Sequence, residues 1–398
     1  MWIYFLWRKV KGEMSKYKNT KLEKINIEEF ILEENFIFDN IVKEFEYILD
    51  LKNTHQNPKY HNEGNVYIHT QNVCNEVVKL EEWKTLSADE KVTLYLACFF
   101  HDIGKKICTK VEDGEIVSPK HAIKGSKMVR KLFYSENTTD YFMSFNLREK
   151  VCALIKYHGL PLFFEEKPFI ERQLIRVSEC INMKLLYLLG KADVLGRECG
   201  DKNKLLNEVE YFKEYCLDLG CFNSRIAFSN EYTRFKFLNE DSSLYYRDEI
   251  YDVTKFDVFI MCGFPLSGKD TYINKYLNNI PMISLDDIRE EFKISPSSNS
   301  GKAASIAKER ARILLREKKS FVWNGTNIIS DTRKKLIKQF SDYGARVHFI
   351  YVEVPYEQLL YRNDKRRRTV SKKVIDKMIE RFDMLEPWEG FSQLIVIE

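Results

Sequence analysis

The chain has 398 residues, a length that favours two domains of ordinary size over a single core. Its apolar fraction of 44% and charged fraction of 31% are typical of a folded globular protein, and glycine and proline are too scarce for long disordered segments. The net charge of +4 is unevenly placed, because residues 251–398 contain 26 Lys/Arg against 20 Asp/Glu. This basic second half suits either an anionic ligand, such as a polyphosphate or a nucleic-acid backbone, or an ordinary solvated surface.

The cysteines and the N-terminal residues indicate the cellular compartment in which we expect the protein. Nine cysteines are scattered without a C-x-x-C pair, which argues against a disulfide framework or a zinc knuckle and favours the reducing cytoplasm. The first seven residues are apolar, but a bilayer span needs about 20, and a signal peptide needs a basic start. We therefore expect no membrane span. Residues 1–30 are predicted to be an N-terminal extension, in which residues 1–13 are either a misplaced start before Met14 or a small anchor.

Up to about residue 220 the apolar pattern is helical. Ser87 and Glu90 predict a capping box at the start of a helix that continues to residue 100. Ser118-Pro119 predicts the start of a second helix, with proline at its first position. A third helix includes residues 151–155 and is expected to end at His158-Gly159. These patterns predict an all-α domain over residues 31–200.

Residues 201–254 are polar and look irregular, so we interpret them as a linker or a small subdomain. The pattern changes after Lys255, where short apolar runs alternate with helical segments. The predicted strands are 258–261, 282–283, 321–323 and 347–352. This alternation is typical of an α/β domain with a parallel sheet, which we place at residues 255–398.

Histidines and aspartates in the first domain suggest a metal centre. Burying an imidazole beside a carboxylate, as His101-Asp102 requires at the end of an apolar helix, is costly unless a cation compensates. Mixed imidazole and carboxylate ligands suit divalent transition metals, or Mg²⁺ and Mn²⁺ where oxygens dominate. The candidate ligands are His69, His101, Asp102, His121, His158 and Asp193. His55 and His348 are interpreted as ordinary polar residues.

The segment 56–70, which contains His61, Glu63 and His69, together with 101–105, His-Asp-Ile-Gly-Lys, resembles the HD superfamily of phosphohydrolases over residues 55–200. The likeness is greatest to the HD domains of CCA-adding enzymes, and His61 and Glu63 match the opening motif. It implies a divalent metal such as Mn²⁺, Ni²⁺, Co²⁺ or Mg²⁺, and places Lys105 against the substrate phosphate. The implied ligands of the first metal are His69, His101, Asp102 and Asp193. His121 and His158 match the histidines of members that bind a second metal.

A glycine-rich loop follows the first predicted strand of the second domain and opens a helix, which is the context that a P-loop requires. Its expected ATP-binding residues are Gly263, Gly268, Lys269, Asp270 and Thr271. Backbone amides would cradle the phosphates, with Lys269 as a point charge. The usual Ser/Thr ligand of Mg²⁺ is replaced by Asp270, which can also hold Mg²⁺, directly or through water.

Together with the P-loop, residues 283–289, 324–327 and 361–369 resemble the polynucleotide 5′-kinases over residues 256–390. The resemblance implies that Asp286 is the general base for a 5′-hydroxyl, and that Arg289 holds the phosphate of the acceptor strand. It also implies that Arg366 in a lid stabilises the transferring phosphoryl group. Asn327 matches a position on the acceptor side. Where some of these kinases carry an acidic residue before the Thr-Asn pair, this chain has Gly325.

An HD domain joined to such a kinase resembles the bifunctional RNA end-healing enzymes. That likeness implies removal of a 3′-phosphate or 2′,3′-cyclic phosphate by the HD domain and phosphorylation of 5′-hydroxyl ends by the kinase. RNA or DNA ends would be the partners, with an RNA ligase acting downstream. Two alternatives stay open. The HD domain could hydrolyse free nucleotides beside a small-molecule kinase, or it could sense a nucleotide and gate the kinase.

Overall fold

The structure, a computed structural model, describes residues 24–135, 140–239, 244–295, 300–366 and 369–397. It forms two compact units that divide between Ala227 and Phe228, inside the segment expected to be a linker or small subdomain. Most of the expected N-terminal extension, including Met14, lies outside the described residues, as do Arg367 and Arg368 of the basic run. No helix in the described part of the chain is long and apolar enough to cross a membrane.

The first unit is mainly helical. Its helices are α1 (Ile27–Glu33), α2 (Phe38–Ile41), α3 (Glu46–Leu49), α4 (Val66–Val77), α5 (Ala88–Phe100), α6 (Lys105–Cys108), α7 (His121–Ser135), α8 (Phe145–Tyr157), α9 (Leu160–Phe163), α10 (Ile170–Cys180), α11 (Met183–Leu195) and α12 (Lys202–Leu219). Short 3₁₀ helices span Val42–Glu44, Asp50–Asn53 and Glu81–Thr85. Strand β1 (Ile25–Asn26) pairs in parallel with β4 (Tyr141–Phe142), and β2 (Lys110–Glu112) pairs antiparallel with β3 (Glu115–Val117).

Helix α5 lies at the centre of this unit. Its predicted capping box is present, with the Ser87 hydroxyl accepting from the Glu90 amide and the Glu90 carboxylate accepting from the Ser87 amide. Every residue from Val92 to Phe100 is buried, and a helix that is apolar all round must be enclosed by others. Helices α4, α8 and α11 pack around it. The C-terminal end of α5 is therefore held firmly in the interior.

Two expectations about local structure need correction. Helix α7 begins at His121 rather than at Ser118-Pro119, and Lys120 has a φ of 61°, which is incompatible with a helix starting earlier. The stretch after residue 201, expected to be irregular, contains the 18-residue α12. That helix buries Val209, Phe212 and Cys216 against α9 and α11, so its polar composition reflects only the exposed face.

The second unit is an α/β domain. Its helices are α13 (Glu231–Asn239), α14 (Lys269–Tyr276), α15 (Leu285–Glu291), α16 (Ser300–Arg316), α17 (Ser330–Ser341), α18 (Tyr356–Asp364) and α19 (Lys372–Arg381). Its strands are β5 (Phe256–Cys262), β6 (Met282–Ser284), β7 (Phe321–Asn324), β8 (Ala345–Glu353) and β9 (Ser392–Ile397). They form one parallel sheet in the order β6-β7-β5-β8-β9.

The four predicted strands of the parallel sheet are confirmed, whereas the edge strand β9 is missing from the prediction. Strand β5 occupies the middle of the sheet, and Met261, Val322 and Ile350 from three adjacent strands share one core with Ile273 of α14. Because parallel strands end at the same edge, the loops after β5, β6 and β7 meet there. This edge carries the residues predicted for the kinase.

Candidate metal centre and nucleotide site

Five helices bring six candidate metal-binding side chains into one cluster. His69 lies on α4, His101 and Asp102 follow α5, His121 starts α7, His158 follows α8, and Asp193 lies on α11. These are the six candidate ligands that the sequence predicted, and the structure places them together. Their side chains converge because α4, α8 and α11 pack on α5, and α7 packs on α8.

The cluster consists of two ligand sets joined by Asp102. In the first set, His69 Nε2 lies 3.0 Å from Asp193 Oδ1 and 3.3 Å from His101 Nε2. In the second set, His121 Nε2 lies 3.2 Å from His158 Nε2 and 3.3 Å from Asp102 Oδ1. The other oxygen of Asp102 lies 3.3 Å from His101 Nε2. Each set offers the three ligand atoms that one cation needs.

The hydrogen bonds of the imidazoles show that the cluster fits cations. Nδ1 donates to a backbone carbonyl in three of them: His101 to Cys98, His121 to Ser118 and His158 to Ile155, at 2.7–2.8 Å. Their Nε2 atoms therefore present lone pairs to each other across the cluster. Asp102 Oδ1 is buried without a hydrogen-bond partner. Converging lone pairs beside an unpartnered carboxylate oxygen repel one another unless a cation lies between them.

Burial and neighbouring charges set the protonation of this cluster. Burial lowers the pKa of His158 to about 3, so this imidazole is neutral and able to act as a ligand. Burial also acts to lower the pKa of His101, but the Asp102 carboxylate outweighs it and raises that pKa. Without a cation, His101 is thus the imidazole whose protonation would relieve the crowding of negative charge.

Glu63 contacts both His61, its partner in the opening motif, and His69 of the candidate metal centre. Its Oε1 accepts a hydrogen bond from His61 Nδ1 at 2.9 Å and also lies 2.9 Å from His69 Nδ1. Burial acts to raise the pKa of Glu63, but the contacts with His61 and His69 hold it well below its usual range. An anion on Nδ1 keeps the proton there and aims Nε2 at the metal position. Glu63 therefore orients His69, a role that the sequence motif did not specify.

Two cations hold the carboxylates of the cluster. Arg197 makes two hydrogen bonds to Asp193, at 2.7 and 3.1 Å, and Lys105 Nζ lies 2.7 Å from Asp102 Oδ2. Although burial acts in the opposite direction, Lys105 and Arg197 keep the pKa values of Asp102 and Asp193 well below the usual range. Lys105 also donates to Gln56 Oε1 at 2.6 Å. Arg197 was not predicted, although its spacing of four from Asp193 is a recognisable helical pair.

The cluster opens into a cleft of about 560 Å³. Lys105 and Arg197 contribute charge to its wall, and Leu162 and Phe163 contribute an apolar side. A mixed lining of this kind suits a ligand with both a phosphate and a flat apolar part.

A backbone contact sets the position of His121. A Cβ atom on Gly104 would lie 2.1 Å from the His121 carbonyl oxygen and 2.7 Å from the Gly125 amide nitrogen. Only glycine at position 104 permits α7 to approach the 101–105 turn this closely. The second ligand set therefore depends on the absence of a side chain at Gly104.

The P-loop of the second unit joins β5 to α14. Gly263 has a φ of 143° and its Cβ position would clash with the Val352 carbonyl oxygen, while Gly268 has a φ of 102° just before α14. Lys269 Nζ donates to the Gly263 and Phe264 carbonyls at 3.1 and 2.7 Å. Burial lowers the pKa of Lys269 to about 8. Thr271 is exposed on the first turn of α14.

Asp270, in the position of the usual Ser/Thr, accepts a hydrogen bond from Asn324 Nδ2 at 2.7 Å. Asn324 is buried and is the last residue of β7, the strand next to β5. Asn324 belongs to the 324–327 motif, but no role was predicted for it from the sequence. Its place at the end of an apolar strand is the signal that could have indicated it.

Asp286 and Arg289 lie on the first turns of α15, immediately after β6. Arg289 Nη1 donates to Asp286 Oδ1 at 2.5 Å, and Arg289 Nε has no hydrogen-bond partner among the described residues. The charges of Asp286 and Arg366 both act on the pKa of Lys269, although burial is the larger cause of its shift. Arg362 Nη1 donates to the Leu266 carbonyl at 3.2 Å and ties α18 to the loop.

Asn327, which was predicted for the acceptor side, is hydrogen-bonded to the backbone of β5. Its Nδ2 donates to the Met261 carbonyl at 2.7 Å, and its own carbonyl accepts from Arg333 Nη1 at 3.2 Å. The Asn327 side chain is buried and its amide is used by the backbone of β5. These contacts hold the segment after β7 against β5, and the acceptor-side role of Asn327 stays a prediction.

Comparisons with known proteins agree with this division. The HD domain family matches residues 66–180, and a family described as AAA domain matches residues 258–385. The L-seryl-tRNA(Sec) kinase of Methanococcus maripaludis is 27% identical over 134 residues, 32% of this chain and 52% of the relative. The chain therefore spans about half the length of this curated relative.

A crystal structure of a candidate kinase from Chloroflexus aurantiacus shares 16% identity with 36% of this chain and 89% of its own, at a TM-score of 0.30. That likeness is too weak to support an argument. The two family matches and the observed topology are sufficient: the chain is an HD domain followed by a P-loop kinase-like domain with a five-stranded parallel sheet.

Proposed function

We propose that the protein heals nucleic-acid ends, most directly those of RNA. In this proposal the HD domain removes a 3′-phosphate or 2′,3′-cyclic phosphate, and the kinase-like domain transfers the γ-phosphate of ATP to a 5′-hydroxyl. The observation that carries it is the Asp286–Arg289 pair after β6, at the sheet edge where the P-loop follows β5. A carboxylate and a guanidinium adjacent to the P-loop provide a base for a hydroxyl and a contact for a phosphate on the same acceptor.

In the HD domain, the six clustered side chains would hold one or two divalent cations. A bound cation supplies Lewis-acid activation of water and of a phosphoryl oxygen. Lys105 lies at the wall of the cleft, held at 2.7 Å from Asp102, and its ammonium would attract and orient the leaving phosphate. Glu63 keeps His69 in the tautomer that the cluster requires.

In the kinase-like domain, the backbone amides of residues 263–268 and the N-terminus of α14 would cradle the phosphates of ATP. Lys269 now donates to two carbonyls of the loop, and polyphosphate oxygens would replace these acceptors. Asp286 accepts the proton of the attacking hydroxyl, and Arg289 uses its remaining donors for the neighbouring phosphate. Arg366 contributes positive charge to the transferring group.

RNA is favoured over a small molecule as the acceptor for two reasons. The second half of the chain is basic, with 26 Lys/Arg against 20 Asp/Glu in residues 251–398. The curated relative is by name a kinase of a seryl-tRNA, and thus acts on a hydroxyl carried by RNA. That name also supports a second acceptor, an aminoacyl group on a tRNA.

The test is to incubate the full chain with ATP, Mg²⁺ or Mn²⁺, and an oligonucleotide bearing 5′-hydroxyl and 3′-phosphate ends, and then to analyse both termini. RNA, DNA and seryl-tRNA are compared as acceptors. We expect phosphate gained at the 5′-end and lost at the 3′-end of RNA. Transfer to seryl-tRNA alone would support the second acceptor, and transfer only to small alcohols would refute a nucleic-acid substrate.

A further inference from the structure

The hydrogen bond between Asn324 and Asp270 joins the end of β7 to the P-loop helix. Asn324 Nδ2 donates to Asp270 Oδ1 at 2.7 Å and also lies 3.8 Å from Met282 Sδ, and among the described residues the Asp270 carboxylate has no other side-chain hydrogen-bond partner. Asn324 is 7% exposed, whereas Asp270 faces solvent on the first turn of α14. The buried amide thus holds one carboxylate oxygen of an otherwise exposed residue.

In common P-loop phosphotransferases these two positions carry the opposite chemistry. Mg²⁺ is held by a Ser/Thr hydroxyl after the P-loop lysine and by an aspartate that ends a neighbouring strand. Here the carboxylate follows Lys269, and a neutral side chain ends the neighbouring strand. Both arrangements contain one carboxylate and one neutral polar group. Two carboxylates 2.7 Å apart would repel each other, and the absence of both would deprive Mg²⁺ of its anionic ligand.

We propose that Asp270 and Asn324 have exchanged the usual roles: Asp270 supplies the carboxylate that binds the Mg²⁺ of ATP, and Asn324 positions it. This inference rests on the proposed kinase function. It predicts that Asp270→Ser alone removes metal binding, and that adding Asn324→Asp, which returns a carboxylate to the site, restores it. A hydrogen bond with only a structural role predicts no such rescue.

The experiment uses four full-length proteins: wild type, Asp270→Ser, Asn324→Asp and the double variant. Calorimetry measures ATP affinity in Mg²⁺ and in EDTA, and the ratio of the two values cancels any general loss of ATP binding. Electron paramagnetic resonance of Mn²⁺ with ATP gives a second readout of the metal. We expect Asp270→Ser to lose about tenfold or more of the Mg²⁺ enhancement, Asn324→Asp to keep it, and the double variant to regain most of what Asp270→Ser loses.

Asp331→Ser is the control, because Asp331 is also an exposed aspartate on the first turn of a helix in this unit. It should keep the full Mg²⁺ enhancement. Asp270→Ser with an unchanged enhancement would overturn the inference, as would a double variant no better than Asp270→Ser. A wild-type protein that binds no ATP even in Mg²⁺ would refute the kinase assignment itself, and the inference with it.

Discussion

Glu63 Oε1 lies 2.9 Å from Nδ1 of His69, the nitrogen opposite the one that faces the metal cluster. This carboxylate fixes the direction of the imidazole and increases its basicity. Residues of this kind typically contribute a factor of about 10–100 to metal affinity. We therefore expect Glu63→Gln to weaken Mn²⁺ binding by about that factor, measured by calorimetry on the metal-free protein. Glu76→Gln on the same helix removes only an ion pair with Lys79 and should have no effect; equal affinities in all three proteins would contradict the role of Glu63.

Asp102 contributes one oxygen to each ligand set, so Asp102→Ala removes a ligand from both. We expect release of the 3′-phosphate to be abolished while 5′-phosphorylation stays near the wild-type rate. Both ends of one RNA substrate are followed in the same reaction. Asp89→Ala, at the exposed N-terminal end of the same helix, is the matched control. Kinase activity that fell together with phosphate release would instead favour the hypothesis that the HD domain gates the kinase.

Asp286→Asn removes the proposed base while nearly preserving its shape. Kinase turnover should fall by a factor of about 100 or more, with ATP affinity retained. The neighbouring Asp287 is equally exposed on the same turn, and Asp287→Asn should leave turnover unchanged. Retention of most activity by Asp286→Asn would rule out the polynucleotide-kinase assignment and leave only a P-loop phosphotransferase.

Arg289→Ala should act on the acceptor rather than on ATP. Loss of a hydrogen bond to a charged group costs about 1.5–3 kcal/mol, or roughly tenfold to a hundredfold in the KM for the polynucleotide. The KM for ATP should stay constant, and steady-state kinetics with each substrate varied in turn separates the two. An increase confined to the KM for ATP would assign Arg289 to the nucleotide instead.

ATP affinity should depend on pH through Lys269. Burial lowers the pKa of Lys269 to about 8, so its charge is present below that pH and is progressively lost above it. A bound polyphosphate favours the charged form of Lys269. Above the pKa of this lysine, the protein must therefore take up a proton when ATP binds. The affinity should fall above pH 8, approaching about tenfold per pH unit. Lys269→Arg keeps its charge and should remove this dependence; a constant wild-type affinity up to pH 9.5 would contradict the prediction.

The buried pair of Arg333 and Glu389 should stabilise the second unit. Arg333 makes hydrogen bonds of 2.5 and 2.7 Å to this carboxylate and also holds the Asn327 carbonyl. Arg333→Met leaves a buried charge unpaired, which costs about 3–5 kcal/mol. Arg310→Met breaks an exposed pair with Glu291 and should cost at most about 1 kcal/mol. Calorimetric unfolding of the full chain distinguishes the two, with the relevant transition identified by its shift with ATP.

Sequence patterns predicted well those features that are encoded locally. The capping box of α5 and the strand before the P-loop each depend on residue type at fixed spacing, and the clustering of the six candidate ligands was implied by the family resemblance. The pattern of α12 was also local, since Val209, Phe212, Cys216 and Leu219 follow a helical spacing, but the polar exposed face obscured it. Strand β9 is an edge strand whose residues are mostly only partly buried, so its apolar signal did not distinguish it.

The features that the sequence did not predict are contacts between distant segments. Asn324 meets Asp270 across 54 positions, and the Glu198 amide donates to Glu63 across 135. No periodicity connects such residues, because the packing of whole elements brings them together. The same limit explains Asn327, whose motif suggested an acceptor contact although its side chain is used by the backbone of β5.

Gly104 contributes no side-chain ligand, and yet it sets how closely His121 approaches the other candidate ligands. The clearance for α7 at this position is set by a single missing methyl group, since a Cβ there would overlap the His121 carbonyl oxygen. Gly104→Ala would displace His121 and leave the set of His69, His101 and Asp193 largely in place. A binuclear centre would become mononuclear without the loss of one coordinating atom from the sequence. The number of cations that this centre can hold would thus depend on the backbone clearance at Gly104 as much as on the ligand side chains.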